Sequence, residues 1–89
     1  MLLLISFPFS LFAQNKTITG TVRDAVDVVI GASVMVKGNT GVGTITDMDG
    51  KFQLPNVPSS AKTLVISFIG MATQEVAIKP NLNITLKPD

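Results

Sequence analysis

The stretch Gly43-Thr44-Ile45-Thr46-Asp47-Met48-Asp49-Gly50-Lys51-Phe52-Gln53-Leu54 sets two short alternating runs on either side of an Asp-Gly pair. Alternation with β-branched residues has the period of a strand, because successive side chains point to opposite faces. The Asp49-Gly50 pair supplies tight-turn chemistry: Asp suits the first central position and Gly accepts a positive φ. Asp47 is expected to bond the backbone of the same turn. The segment therefore predicts a β-hairpin, with Pro55 and Pro58 ending its second arm.

Working outward, the same period recurs on both sides. Thr17 to Arg23 places Ile18, Gly20 and Val22 on one face, and Ser33 to Lys37 turns Val34 and Val36 inward. Lys62 to Ile69 is apolar on both faces for part of its length, which predicts a central strand. Thr73 to Lys79 puts Val76 and Ile78 together, and Leu82 to Lys87 turns Leu82, Ile84 and Leu86 inward. Phe52 and Phe68 fall among inward aliphatics and read as core, whereas Met71 follows a turn and reads as exposed. Gly38-Asn39-Thr40-Gly41-Val42-Gly43 reads as a loop tolerant of positive φ, and Ala25 to Ala32 as a loop closed by Gly31. Gly70 and Pro80 mark two more breaks. No segment carries a helical stripe. About seven short strands at regular spacing predict an all-β sandwich.

The first residues follow a different pattern. Met1 to Ala13 is apolar apart from Ser6 and Ser10 and is interrupted by Pro8. The run is shorter than the roughly 20 residues a membrane-spanning helix requires. It reads as the apolar region of a secretory signal peptide, residues 1–13, with cleavage after Ala13. The absence of a basic stretch before Leu2 predicts that the chain begins inside a longer signal; the competing reading is a short buried strand or an artefactual tail. The remaining residues, 16–89, form one small domain. A chain that short buries only roughly 60% of its unfolded surface, so its core is thin.

Composition excludes several functions. Seven basic and six acidic residues give a net charge of +1, scattered singly, so there is no basic stripe for nucleic acid. Tyr and Trp are absent, which removes the usual stacking platforms for bases and sugars. Without Cys or His there is neither a disulfide nor a Cys/His zinc site. Asp47 and Asp49 resemble part of a calcium loop, but position 51 is Lys and no Glu follows until Glu75. The same pair, two residues apart on one turn, is poorly placed to flank a glycosidic bond. A serine nucleophile would have no histidine base. Gly38, Gly41 and Gly43 lack the Gly-Lys-Ser/Thr ending of a phosphate loop. The sequence thus assigns no catalytic, cofactor-binding or metal residue. It singles out a structural turn set: Asp47, Asp49, Gly50, Gly31 and Gly70.

Three blocks carry a resemblance: Ile18-Thr19-Gly20-Thr21-Val22-Arg23-Asp24, then Ile30-Gly31-Ala32-Ser33-Val34-Met35-Val36-Lys37-Gly38, then Gly43 to Phe52. Leu64 to Met71 with Thr73 to Val76, and Asn83 to Lys87, extend it over residues 16–89. In this order and spacing they resemble the carboxypeptidase regulatory-like domain at the N-terminus of SusC/RagA-type TonB-dependent outer-membrane receptors of Bacteroidetes. The resemblance departs at residues 24–30, which lack the family's Gly turn and Pro; Asp27 is expected to hold that turn by adopting a left-handed backbone.

The resemblance implies a seven-stranded Greek-key β-sandwich of transthyretin (prealbumin) type, exported and placed at the periplasmic face of the outer membrane. It implies a non-catalytic accessory domain of a nutrient importer, acting through protein interaction and needing no cofactor. Expected partners are the plug and barrel domains of the same receptor and a periplasmic or inner-membrane energy-transducing protein, with no role for nucleic acid. Asp89 falls about where the TonB-contacting segment of such receptors would begin, so a fragment of a longer reading frame is expected. The alternative is a stand-alone secreted β-sandwich binding module.

Overall fold

The computed structural model describes residues 15–89, so the signal-peptide reading of residues 1–13 lies outside the described residues. Seven strands follow in order: β1 (Asn15–Arg23), β2 (Ser33–Val36), β3 (Asn39–Ile45), β4 (Lys51–Pro58), β5 (Thr63–Ser67), β6 (Gln74–Ala77) and β7 (Asn81–Thr85). They make two sheets, a three-stranded one ordered β4-β1-β7 and a four-stranded one ordered β3-β2-β5-β6. The all-β sandwich expected from the alternation is the observed architecture.

Strands β1, β2, β5 and β7 each bury one alternating face. Ile18 and Val22 of β1, Val34 and Val36 of β2, Leu64 and Ile66 of β5, and Leu82 and Ile84 of β7 all point between the sheets. Burying one such side chain stabilises the fold by about 1.5–3 kcal/mol, so the core accounts for the cohesion of a domain without disulfides. β5 lies between β2 and β6, as its two-sided apolar character predicts. Phe52 is core, and Phe68 is half-buried against it. Met71 is also half-buried against the core and not exposed, because the chain's last residues fold back over it.

Three further expectations are corrected. The first is the hairpin at Asp49-Gly50. β3 and β4 sit in different sheets, and the turn between them is a corner from one sheet to the other. The cause lies in β1: Phe52 pairs opposite Gly20, and Leu54 opposite Ile18. A Cβ on Gly20 would fall 2.6 Å from the Phe52 ring, so glycine leaves room for that ring to lie over the β1 backbone. β3 instead pairs with β2.

The second correction follows from the first. Residues 38–43 are not a loop; strand β3 starts at Asn39, and the hairpin turn is confined to Lys37 and Gly38, where Gly38 has φ 82°. The third concerns Pro55, which lies inside β4 and does not end it. β4 is an edge strand, so the missing N–H need not serve a second neighbour. Pro55 and Asn56 fall at the register break opposite Lys16 and Ile18, where Asn56 adopts φ 61° and bulges the strand.

β1 and β7 run parallel, with Thr19 opposite Asn81 and Arg23 opposite Thr85. The sandwich therefore has two distinct ends. At one end, β1 starts and β6 passes to β7. At the other, β1, β3, β5 and β7 finish and the chain leaves at Asp89.

Candidate functional site

The exit end is built from side chains that bond backbone. Thr46, just after β3, is the buried polar residue of the core. Its hydroxyl donates to the Val29 carbonyl at 2.7 Å and accepts from the Ala32 N–H at 2.8 Å, pinning residues 29–32 to the end of β3. Gly31 N–H bonds the Thr46 carbonyl and Thr46 N–H the Ala32 carbonyl, so this end is laced along its length. Strand alternation gives Thr46 no mark that separates it from an outward threonine; its burial comes from the loop that covers it.

Asp47 organises the corner. One carboxylate oxygen accepts the N–H groups of Asp49 and Lys51, each at 2.9 Å, while Gly50 N–H bonds the Asp47 carbonyl. These bonds, first from Lys51 and then from Asp49, hold the Asp47 carboxyl below its ordinary range. Gly50 has φ 73°, and a Cβ there would meet the Val22 carbonyl and Val28 at 2.7 Å. Asp49 is exposed on the rim of the turn, where only its N–H is bonded to Asp47. Gly31 and Gly70, at the neighbouring turns, also have left-handed backbones.

The loop after β1 is organised by Asp24, a residue the sequence reading did not select. Its carboxylate accepts the N–H groups of Val26 at 2.8 Å and Asp27 at 2.9 Å, and these bonds, Asp27 first, lower its pKa. Asp27 does not take the left-handed conformation expected of it; it closes the turn by accepting the Asp24 N–H on its carbonyl. A carboxylate at the strand end makes a left-handed residue unnecessary.

The five turn residues named from the sequence thus fall at one end of the molecule: Asp47, Asp49 and Gly50 at the corner, Gly31 before β2, and Gly70 after β5. So do, among the described residues, all the exposed large hydrophobic side chains: Val26, Ile30, Ile45, Met48 and Ile69, the last 89% exposed. Ile45 stands opposite Ser33 and Ser33 opposite Ser67 on the outer face of the larger sheet. Gly31, Ser33, Ser67, Phe68 and Ile69 line one shallow depression there. Among the described residues no group of three or more His, Cys, Asp or Glu could hold a metal. Asp47 already has one oxygen occupied by the turn. What this end can do chemically is present a rigid, partly apolar surface.

The fold is an all-β sandwich of seven strands in two sheets, with a corner-braced end and an exposed apolar rim. The chain belongs to the CarboxypepD_reg-like domain family, which matches residues 18–89 and is non-catalytic. It is 47% identical over 79 residues to the TonB-dependent receptor SusC of Bacteroides thetaiotaomicron, covering 88% of this chain and 8% of that receptor. A TonB-dependent receptor of Formosa agariphila is 39% identical over 92 residues, covering 100% of this chain and 9% of the receptor. The chain thus spans under a tenth of the length of either relative. Among solved structures, a chain of a type II cohesin–X-dockerin complex from Acetivibrio cellulolyticus superposes with a TM-score of 0.69 at 22% identity, covering 82% of this chain and 58% of that one. The shaft pilin SpaA of Lactobacillus rhamnosus GG gives 0.57 at 14% identity, covering 85% and 47%. At these identities the likeness is one of fold.

Proposed function

We propose that this chain is the exported accessory domain of a TonB-dependent outer-membrane nutrient importer, a carrier of glycans or peptides. It sits at the periplasmic face and works by protein contact. The observation that carries the reading is the 47% identity to SusC over nearly the whole described sandwich. Its partners in this reading are the plug and barrel of the same receptor and an energy-transducing protein reaching from the inner membrane. The geometry agrees with a contact role: the conspicuous carboxylates, Asp24 and Asp47, are engaged by backbone N–H groups within their own turns. That arrangement shapes a surface and leaves little freedom for proton transfer or metal binding.

The test is the nucleotide sequence after codon 89 in the source DNA. Continuation in frame into a TonB-contacting segment and a barrel pattern is expected. A stop codon there would overturn the importer reading in favour of a stand-alone secreted binding module, whose apolar rim would then be its ligand site.

A further inference from the structure

We infer that the exit end of the sandwich is a docking face for the part of the receptor chain that follows Asp89, and that the domain is held against that part as a fixed unit and not as a bead on a free tether. The inference rests on the importer reading above and adds to it the surface and the occupant.

Three observations carry it. The first is where the exposed apolar residues lie. Val26, Ile30, Ile45, Met48 and Ile69 come from three separate segments, yet the topology brings all of them to one end. Singly exposed hydrophobic residues are ordinary on any protein, but gathering them at one end marks a contact surface.

The second is the path of the chain as it leaves. After β7 it does not run free. Leu86 N–H bonds the Arg23 carbonyl at 2.7 Å, the Lys87 carbonyl accepts Ala72 N–H at 2.8 Å, Pro88 bridges Met71, and Asp89 N–H bonds the Gly70 carbonyl at 3.1 Å. These residues strap the smaller sheet to the β5–β6 turn of the larger one. They deliver the chain beside Ile69, inside the apolar rim. Successive Cα atoms are only about 3.8 Å apart, so the residues that follow start at the rim. A tether that short gives an effective concentration on the order of millimolar or more, which lets a modest apolar patch dock stably.

The third is charge. Every aspartate of the chain, at positions 24, 27, 47, 49 and 89, lies at this end, with Arg23, Lys51 and Lys87 as its cations. Five carboxylates against three cations give a net −2. The other end carries Lys16, Lys37, Lys62 and Lys79. The occupant fitted to the rim is an apolar surface fringed by basic residues. In the SusC relative more than nine-tenths of the chain lies outside the matched stretch, ample to supply it.

The experiment is amide hydrogen exchange on the full-length receptor, read domain-wide, for the wild type and the double variant Ile45→Asp/Ile69→Asp. Both side chains are exposed, so the sandwich itself should tolerate the change. Residues 24–31, 46–49 and 68–72 are expected to exchange about tenfold faster in the variant, with β1 and β7 unchanged. Equal exchange in the two proteins overturns the inference. So does rim protection that rises with receptor concentration, which would make the occupant a second copy. If the amides of β1 and β7 also speed up, the variant has loosened the fold, and Met48→Asp, in the corner and off the strands, is read in its place by the same criteria. A stop after codon 89 removes the importer reading itself, whereas an unprotected rim in a full-length receptor removes only this inference.

Discussion

The two ends of the sandwich share one core and are finished by different means. At the exit end, Thr46, Asp24 and Asp47 use side chains to satisfy backbone groups, and apolar residues remain outside. At the lysine end, the turns close mainly by backbone bonds, Lys37 N–H to the Thr63 carbonyl, Ile78 N–H to Lys62 and Ala61 N–H to Pro58, with one side-chain bond, from the Thr19 hydroxyl to the Pro80 carbonyl at 3.3 Å. Its charged side chains are four lysines and Glu75, and among the described residues Glu75 pairs with Lys37. A core needs only that its strand ends be closed, and backbone bonds suffice for that. The additional side-chain bracing at the exit end fixes the shape of a surface, which is what a contact face requires and a solvated turn does not.

Glycine substitutions test the contrast most severely. Gly50 and Gly38 both have positive φ, but only Gly50 is enclosed. A Cβ on Gly50 meets backbone and a packed valine at 2.7 Å, while nothing lies within 4 Å of Gly38. Gly50→Ala is expected to cost about 3 kcal/mol, the backbone penalty plus overpacking, and Gly38→Ala about 1 kcal/mol, the backbone penalty alone. Urea denaturation of both variants measures the difference; equal losses would mean that the corner is no more tightly built than the opposite hairpin.

Thr46→Val comes next. It removes the hydroxyl from between two buried backbone groups and leaves the Val29 carbonyl and Ala32 N–H without their partner. The expected loss is about 2 kcal/mol, with Thr46→Ser closer to wild type because the hydroxyl remains. A neutral Thr46→Val would show that the loop over β3 is held by Val29 and Ala32 packing and not by the bracing described here.

These residues also mark where sequence reading stopped. Strand faces were legible, because period two with β-branched residues reports burial directly: Ile18, Val34 and Ile84 all lie where alternation puts them. The turn at Asp47–Gly50 was legible as a turn, since its chemistry is local. Whether its two arms pair with each other was not, because the partner of β4 is decided by Gly20 beneath the Phe52 ring, a contact between distant residues. Gly41 and Gly43 suggested a loop by composition, and pairing with β2 overrode it. The apolar rim was invisible for the same reason: its members are scattered in sequence and meet only through the topology.

Acid should act mainly on the exit end. Asp24 and Asp47 have pKa values lowered from 3.8 by backbone N–H donation. A lowered carboxylate pKa stabilises the fold above the unfolded-state value, and that contribution is lost as pH falls through the folded-state value. The melting temperature is therefore expected to decline below about pH 4. Asp24→Asn/Asp47→Asn, which keeps acceptor oxygens without the charge, should flatten that decline. Circular dichroism melts from pH 2 to pH 7 decide it; an unchanged acid limb in the double variant would place the acid sensitivity elsewhere.

The smallest effect belongs to the lysine end. Lys37 and Glu75 approach to 2.9 Å, but both side chains are more than half exposed. Water screens such a pair and ordering two long side chains offsets most of the Coulomb gain, so a double-mutant cycle with Lys37→Ala and Glu75→Ala should yield under about 0.5 kcal/mol of coupling. In 1 M salt, where charges are screened within about 3 Å, it should vanish. A coupling that is larger and resistant to salt would mean that the pair is desolvated by something seated on it. The lysine end would then have to be counted as a second contact face, and the asymmetry between the ends would reduce to one of charge.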